Sequence, residues 1–356
     1  MKILKIAIVL IVILAGGLFI RMKFFSPFDR DIVMSSQSGE GSSARRKLVI
    51  AGPFASVSHP LVHMIQSGKL GNEDVEYEFR MWKDVDQLRA MLLDDQIDFA
   101  AIPTNVAANL YNKGLDIRLV NVSIWGILGM MTRDEELRTL KDFKGKKIVV
   151  PFRADMPDIV FRELIKAQGM DPDKDFELSY VSSPIDAMQM LMMRRVDHVL
   201  LAEPAISMAL RKSGSFPLKA VAPTLFRSTD LQEEWAQTFN TDSNVPQAGM
   251  AVIGDVDSST IERFNKAYSE AVQWYLDNPA EAGRQTAEVF TMLNAEAIAD
   301  SIPHVKLKSV SAAEARGKLE EFFRVLYRGE PKLIGGKLPD ADFYFGVEKE
   351  EASAQE

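Results

Sequence analysis

The chain has 356 residues, more than the usual single domain of about 100–200 residues, so its length favours two domains. Its formal net charge of −8 comes without a cluster of lysines and arginines, which argues against nucleic acid as the main partner. The sequence has no cysteine, which excludes disulfides, thiolate nucleophiles, Cys-ligated zinc and iron–sulfur clusters.

The first residues have the pattern of a segment that directs export. Lys2 and Lys5 precede an apolar run over residues 6–20, which is short for a membrane-spanning helix of about 20 residues. No clean A-x-A cleavage site follows the run, and a tilted membrane anchor remains open. We therefore predict that residues 1–23 are a signal peptide or a membrane anchor; a buried core helix is the minor alternative. Both main interpretations place the folded part in the periplasm or outside the cell. If residues 1–23 are a membrane anchor, the folded part is also tethered to the inner membrane.

Two polar segments flank the predicted folded part. Residues 24–46 include SSQSGEGSSARRK, which is rich in Ser and Gly and has no periodicity, and they are predicted to form a flexible linker. Folded structure is expected from about Lys47. Residues 346–356 are acidic and are predicted to be a loose tail.

Strands alternate with helices in a first block. The predicted elements are, in chain order, strand KLVIAGP (47–53), helix PFASVSHPLVHMIQSG (53–68), strand VEYEFRMW (75–82), helix DVDQLRAMLLDDQ (84–96), strand IDFAAIP (97–103), helix TNVAANLYNKG (104–114) and strand LDIRLVNVSIWG (115–126), with GILGMMTRDE (126–135) extended. Alternation of this kind predicts a mostly parallel sheet covered by helices.

A second block repeats the pattern. Its predicted elements are strand GKKIVVP (145–151), helix MPDIVFRELIKAQGM (156–170), strand DFELSYVSS (175–183), helix SPIDAMQMLMMRRV (183–196), strand DHVLLAEP (197–204), helix AISMALRKSG (205–214), strand PLKAVAPT (217–224) and strand QAGMAVIGD (247–255). Everything after that strand is predicted to be helical, and the simplest packing returns the strand at 247–255 to the first sheet. The expected domains are a first lobe of residues 47–133 and 247–345 and a second lobe of residues 134–246, hinged around a cleft.

Several of these segments, in order, resemble a known family. DFAAIPTNVAANLYNKG, DIRLVNVSIWG, GKKIVVP, AQGMDPDKDFELSYV and SPIDAMQMLMMRRVDHVLLAEP resemble the two lobes of periplasmic solute-binding proteins that serve nitrate, sulfonate, taurine and thiamine-precursor ABC transporters. The resemblance implies an α/β, two-lobed type II periplasmic binding fold with a hinge crossed twice and a helical C-terminal region. It also implies a monomer without cofactor, metal site or catalytic residue, whose partners are a small solute, an ABC permease and its ATPase. The family's usual Pro-x-Gly-Ser-like turn is PFRAD (151–155) here, which leaves open whether the solute is anionic or heteroaromatic.

Four turns at strand ends supply the predicted site. Pro53-Phe54, Pro103-Thr104, Pro151-Phe152 and Glu203-Pro204 each close an apolar strand. In open α/β sheets ligands bind beyond the carboxyl ends of strands, where helix starts favour an anion or a carbonyl oxygen. Thr104 suits a helix cap there, and an ordinary cap without a ligand is the alternative.

Nine side chains are predicted to line the cleft. Apolar walls come from Phe54, Trp125 and Phe152; hydrogen bonds come from Ser56, Thr104 and Asn105; Arg153 pairs a ligand carboxylate or sulfonate; Asp155 or Glu203 accepts from a ligand amine. For each, an ordinary structural role is the alternative: core packing for the aromatics, and a surface ion pair with Asp155 or Asp158 for Arg153.

Two further interpretations remain open. His59 and His63 are spaced as two metal ligands on one helix face, but no HExxH glutamate lies between them, so a metal site is not predicted. Enzymes of the menaquinone pathway and a pyrimidine synthase of thiamine assembly resemble the same architecture. An enzyme of that kind is therefore the alternative to a binding protein.

Overall fold

The computed structural model describes residues 33–35, 46–68, 75–93, 97–215 and 224–347. The predicted leader, most of the predicted linker, the strand predicted at 217–224 apart from its last residue and the tail after residue 347 lie outside the described residues. Within the described part of the chain, no helix is both long and apolar enough to cross a membrane.

Thirteen strands and eleven α-helices make up the described structure. The strands are β1 Val33–Ser35, β2 Arg46–Pro53, β3 Val75–Trp82, β4 Phe99–Pro103, β5 Ile117–Leu119, β6 Asn121–Gly126, β7 Leu128–Thr132, β8 Lys147–Pro151, β9 Glu177–Val181, β10 His198–Ala202, β11 Phe226–Asp230, β12 Ala248–Ile253 and β13 Lys306–Ser311. The helices are α1 His59–Gln66, α2 Val85–Leu93, α3 Thr104–Asn112, α4 Met156–Ala167, α5 Pro184–Met192, α6 Ala205–Gly214, α7 Leu231–Phe239, α8 Ser258–Asp277, α9 Pro279–Val289, α10 Ala295–Ser301 and α11 Ala312–Gly329.

Two separate sheets form the centres of two lobes, as the sequence predicts. The first has the order β1-β3-β2-β4-β12-β6-β13, with β5 paired to β12; the second has the order β11-β7-β10-β8-β9. Strands β2, β3 and β4 are parallel to one another, and so are β8, β9 and β10. The apolar runs are buried because helices cover these sheets; β8, for example, is buried from Ile148 to Pro151.

The chain crosses between the sheets twice, which confirms the predicted hinge topology. The first crossing is at Ile127, between β6 and β7, and the second covers α7 and the segment that leads to β12. Strand β12 returns to the first sheet beside β4, as predicted, with Ala248 opposite Pro103.

Four details differ from the sequence prediction. The sheets are not mostly parallel: of the described strand pairs, four are parallel and seven are antiparallel. Strand β7 pairs with β10 and β11 in the second sheet, although the predicted first lobe includes residues 128–132. The predicted linker contains a strand, since Val33–Ser35 pairs with β3 and β2 begins at Arg46. The C-terminal region is not wholly helical, because β13 pairs with β6 at the edge of the first sheet. Each of these strands is short or lacks regular alternation, so its partners are visible only in three dimensions.

The C-terminal helices connect both lobes. Helix α11 packs on α7, where the rings of Phe322 and Trp235 lie 5.4 Å apart. Helix α10 meets α6 through an ion pair between Arg211 and Asp300. The relative position of the two sheets is therefore supported by contacts far from the strand ends as well as near them.

Candidate functional site

The carboxyl ends of β2, β3 and β4 lie at one edge of the first sheet. Pro53 is opposite Trp82 in the register of β2 and β3, and β4 ends at Pro103 beside the start of β12. The backbone carbonyl of Gln247, which directly precedes β12, accepts a hydrogen bond from the Thr104 backbone N–H at 3.0 Å. The residues that follow β2, β3 and β4 and the residues that precede β12 therefore lie at the same edge of the first sheet. We call it the carboxyl edge.

Four buried polar atoms at the carboxyl edge have no hydrogen-bond partner among the described residues. They are Ser58 Oγ, Trp82 Nε1, Asn105 Oδ1 and Gln247 Oε1, and all four residues are at most 4% exposed, Ser58 being fully buried. Buried polar groups in proteins are almost always hydrogen-bonded, to the chain, to water or to a ligand. Other such atoms occur elsewhere in the described residues, but these four belong to side chains that end β3, follow β2 or β4, or precede β12, which makes the carboxyl edge the candidate site.

The amide orientation of Gln247 is determined by its neighbours. The Gln232 oxygen accepts hydrogen bonds from the backbone N–H groups of Ile127 and Leu128, at 3.2 and 3.1 Å, while its nitrogen donates to the Leu128 carbonyl at 3.0 Å. Gln247 Nε2 then donates to that Gln232 oxygen at 3.1 Å. The Gln247 oxygen is therefore held as an acceptor beside the first crossing of the chain.

Glu203 occupies the corresponding strand end in the second sheet. Its side chain is 1% exposed, forms an ion pair with Arg227 and accepts a hydrogen bond from the Ser207 backbone N–H at 3.1 Å. The Ser56 hydroxyl, in the turn after β2, donates to the Glu203 carbonyl oxygen at 3.2 Å. One proline corner of each sheet is thus in direct contact with the other.

The helix starts are partly occupied by the chain itself. Thr104 does not cap α3 as predicted: Pro103 is the cap residue, and the Thr104 hydroxyl donates to the Pro246 carbonyl at 2.6 Å. The reason is that β12 runs alongside β4 and offers carbonyl groups where the helix begins. Asp155 caps α4 and accepts from the Met156 backbone N–H at 2.7 Å.

Burial affects the titration of Asp155. Removal of the carboxyl from water raises its pKa, while the hydrogen bond from Met156 and the positive charge of Arg89 act in the opposite direction.

The other predicted site residues are spread over different surroundings. Phe54 is half-buried, with its ring 5.6 Å from that of Phe290, and Phe152 is half-buried with a φ of 58°. Arg153 is exposed and lies over the Tyr180 ring at 5.2 Å. Trp125 is buried in the core, where its indole nitrogen donates to the Lys308 carbonyl at 2.8 Å.

The histidines have partners within the protein. His59 Nδ1 lies 3.0 Å from the Tyr275 hydroxyl, and burial lowers the pKa of His59 to about 3. His63 stacks on Trp274 with ring centroids 3.4 Å apart. Among the described residues there is no group of three or more side chains suited to hold a metal ion.

A surface cavity lies away from the carboxyl edge. It has a volume of about 380 Å³ and is lined by Glu262 and Glu270 of α8, Ser311 of β13 and Glu314 of α11, among others. Ser311 is opposite Asn121 in the sheet, at the end of β6 distant from Gln247. This cavity is therefore separate from the cluster of unpartnered polar atoms.

Sequence reasoning missed the central residues of the candidate site. Trp82, Gln232, Gln247 and Arg227 were not predicted. A tryptophan at the carboxyl end of a predicted parallel strand was an available signal for Trp82. No local pattern connects Gln232 with Gln247, because their contact depends on the return of β12 to the first sheet.

Comparisons with known proteins agree with this fold. A family model described as menaquinone biosynthesis matches residues 57–327. An ABC transporter structure from Parabacteroides distasonis is 25% identical with a TM-score of 0.69, and the match covers 83% of this chain and 98% of that one. The periplasmic aliphatic sulphonate-binding protein of Escherichia coli is 16% identical with a TM-score of 0.63, covering 88% and 96%. The periplasmic nitrate-binding protein of Synechocystis is 18% identical with a TM-score of 0.56, covering 72% and 70%. No curated protein sequence matches.

Proposed function

The chain belongs to the family described as menaquinone biosynthesis, and we propose that within this family it is a binding protein rather than an enzyme: the solute-binding component of an ABC uptake system, like the solved structures that share its fold. In this proposal it binds a small anionic or heteroaromatic solute between its two lobes and delivers it to a membrane permease with its ATPase. The proposal includes export to the periplasm, with or without a membrane tether, and a monomeric state.

One observation carries the proposal. Four buried polar atoms at the carboxyl edge have no partner among the described residues, and this edge is where the lobes touch through Ser56 and Glu203. A solute that supplied the missing hydrogen bonds would be enclosed by both lobes. Solved structures with this fold include binding proteins for sulphonate and nitrate, which supports transport as the use of such a site.

The mechanism that follows is a hinge motion without chemistry. The lobes are joined by the crossing at Ile127 and by the segment before β12, so they can rotate with little change inside either sheet. Solute enters while the lobes are apart, and the closed form, with Ser56 bonded to Glu203, presents a defined surface to the permease. The proposed lobes follow the sheets, with β7 to β11 in the second lobe.

The alternative function is catalysis in a menaquinone pathway, and the family description favours it. Against it, the two buried histidines are bonded inside the protein, His59 to Tyr275 and His198 to Thr132. Burial lowers the pKa of both imidazoles, which disfavours their protonated form. His59 Nε2, next to Ser58 in the chain, is itself a buried atom without a hydrogen-bond partner among the described residues, so it is the group that the enzyme alternative would use.

Thermal denaturation of the purified full-length chain with a panel of small solutes tests the proposal. A specific ligand raises the melting temperature progressively once its concentration exceeds the dissociation constant. We expect one class of solute to do so and to be recovered unchanged after prolonged incubation. Conversion of the stabilising compound into a product would establish the enzyme alternative, and a panel without any stabilising solute would contradict binding.

A further inference from the structure

We infer that Phe152 is a specificity-determining residue whose ring forms a wall of the solute site, so that the solute carries a ring. This inference rests on the proposed function, because it concerns the solute bound between the lobes. It follows from the backbone conformation of the turn after β8, from the contacts that hold this turn, and from its position beside the contact between the lobes.

The turn after β8 has a backbone conformation that side chains disfavour. Phe152 has a φ of 58° and Ala154 a φ of 61°. Both values lie in the left-handed region, which is uncommon for residues other than glycine and a genuine outlier for a bulky one. The other two described non-glycine residues with a positive φ, Arg194 and Asn240, lie at helix C-termini, where a left-handed residue is ordinary. Phe152 and Ala154 follow a strand instead.

A buried carboxylate holds the turn in this conformation. Asp158 is 2% exposed and accepts hydrogen bonds from the Ala154 backbone N–H at 2.8 Å and from the Tyr180 hydroxyl at 3.0 Å. The Phe152 N–H donates to the Val181 carbonyl at 3.0 Å. Strained backbone persists only where the surroundings enforce it, and such strain is concentrated at functional sites. The turn is therefore a candidate functional element of the second lobe.

The Phe152 ring gains only part of the stabilisation that a phenylalanine obtains by packing inside a protein. Phe143 and Phe161 are fully buried, whereas Phe152 is half-buried. Glycine adopts a left-handed φ without strain, so the ring must contribute something that glycine would lack. A partly exposed ring at a strand end presents an apolar surface to a molecule that is bound there.

The turn lies beside the contact between the two lobes. In the parallel register of β8 and β10, Phe152 is level with Ala202, the residue before Glu203. Neighbouring strands lie about 4.8 Å apart, so Phe152 is next to the strand end at which the Glu203 carbonyl accepts from the Ser56 hydroxyl. Phe54, which is also half-buried, precedes Ser56 in the turn after β2. A solute at this contact therefore has a phenylalanine of each lobe beside it.

Four probes test the inference by calorimetric titration and thermal denaturation of the full-length chain. They are benzenesulfonate with methanesulfonate, and benzamide with acetamide. The first pair is anionic and the second is neutral, and within each pair only one member has a ring. We expect a ring-bearing probe to raise the melting temperature, and its match without a ring to leave it unchanged at the same concentration.

Three variants assign the effect to the Phe152 ring. Phe152→Gly removes the ring, Phe152→Tyr keeps it, and Ala154→Gly is the matched control, because it relieves the same strain in the same turn. We expect Phe152→Gly to weaken binding of the ring-bearing probe by about tenfold, the effect of one lost aromatic contact. Phe152→Tyr and Ala154→Gly should bind that probe as tightly as the parent.

The melting temperature without a solute separates this role from a structural one. Relief of the left-handed backbone offsets the lost contacts of a half-buried ring, so Phe152→Gly should melt within about 2 °C of the parent. Loss of a ring that is fully packed inside the fold would lower the melting temperature by about 4–7 °C.

The outcomes distinguish this inference from the proposed function. A melting temperature of Phe152→Gly lowered by about 4–7 °C would overturn the inference, because the ring would then serve the fold. Equal affinity of Phe152→Gly and the parent for the ring-bearing probe would also overturn it. If only solutes without a ring stabilise the chain, the inference fails and solute binding stands. A chain that no probe and no other solute stabilises would contradict both.

Discussion

Removal of Arg227 is predicted to destabilise the protein because it leaves a buried carboxylate without its counterion. The Glu203 side chain is 1% exposed and the Arg227 side chain 30% exposed. Breaking a buried ion pair by removing one partner costs about 3–5 kcal/mol. Because the Arg227 side chain is partly exposed, water can reach the carboxylate after the substitution, and we expect a loss of about 3 kcal/mol, the lower end of that range. For a chain of 356 residues that loss lowers the melting temperature by about 4–5 °C.

The assay is thermal denaturation of three variants beside the parent chain. Arg227→Met should show the full loss, whereas Glu203→Gln, which keeps an acceptor for the Ser207 N–H, should lose only about 1 kcal/mol. Arg211→Met is the matched control, because Arg211 and its partner Asp300 are 48% and 46% exposed and should contribute nothing measurable. Equal melting temperatures for Arg227→Met and Arg211→Met would refute the reasoning, since burial of the carboxylate is the only basis for expecting a difference.

Three further predictions concern stability. Burial lowers the pKa of His59 to about 3 in the folded chain, below its unfolded value of 6.5, so acid favours unfolding. Between about pH 7 and about pH 4.5 the free energy of unfolding, measured by denaturant titration, should fall by about 2–3 kcal/mol more in the parent than in His59→Gln; an equal fall in both would contradict this. Gly249→Ala should cost about 3 kcal/mol in the same assay, because its Cβ would lie 1.9 Å from the Asn121 carbonyl oxygen, whereas Gly214→Ala, with no described atom within 4 Å, should change stability by less than about 1 kcal/mol. Trp125→Phe should lower stability by about 1 kcal/mol and leave the ligand-induced rise in melting temperature intact; loss of that rise would return Trp125 to the binding site.

The sequence by itself determined the fold class. Alternating strand and helix patterns, each of ordinary length, leave few ways to bury the apolar runs other than sheets covered by helices. The parallel strands β2, β3 and β4 and the parallel strands β8, β9 and β10 follow from that alternation, whereas the antiparallel strands that complete both sheets do not. The proline corners at Pro53, Pro103, Pro151 and Pro204 could be located because each follows a short, predominantly apolar run. Buried parallel strands have this signature regardless of what lies beside them.

Local patterns did not determine strands that depend on distant partners. β13 has no regular alternation of apolar and polar residues, and it is a strand only because β6 offers it an unpaired edge. β7 continues directly from β6 after Ile127, so nothing in the sequence shows that the chain has changed sheets.

Only the tertiary structure decided which polar groups remain without partners. Thr104 has the sequence signature of a helix cap, yet its hydroxyl bonds to the Pro246 carbonyl from 142 positions along the chain. Gln247 has no signature at all, and its amide oxygen is an acceptor because Gln232, brought beside it by the second crossing, engages the amide nitrogen. Whether a hydrogen-bonding group is satisfied depends on every atom around it, and most of those atoms come from remote parts of the chain.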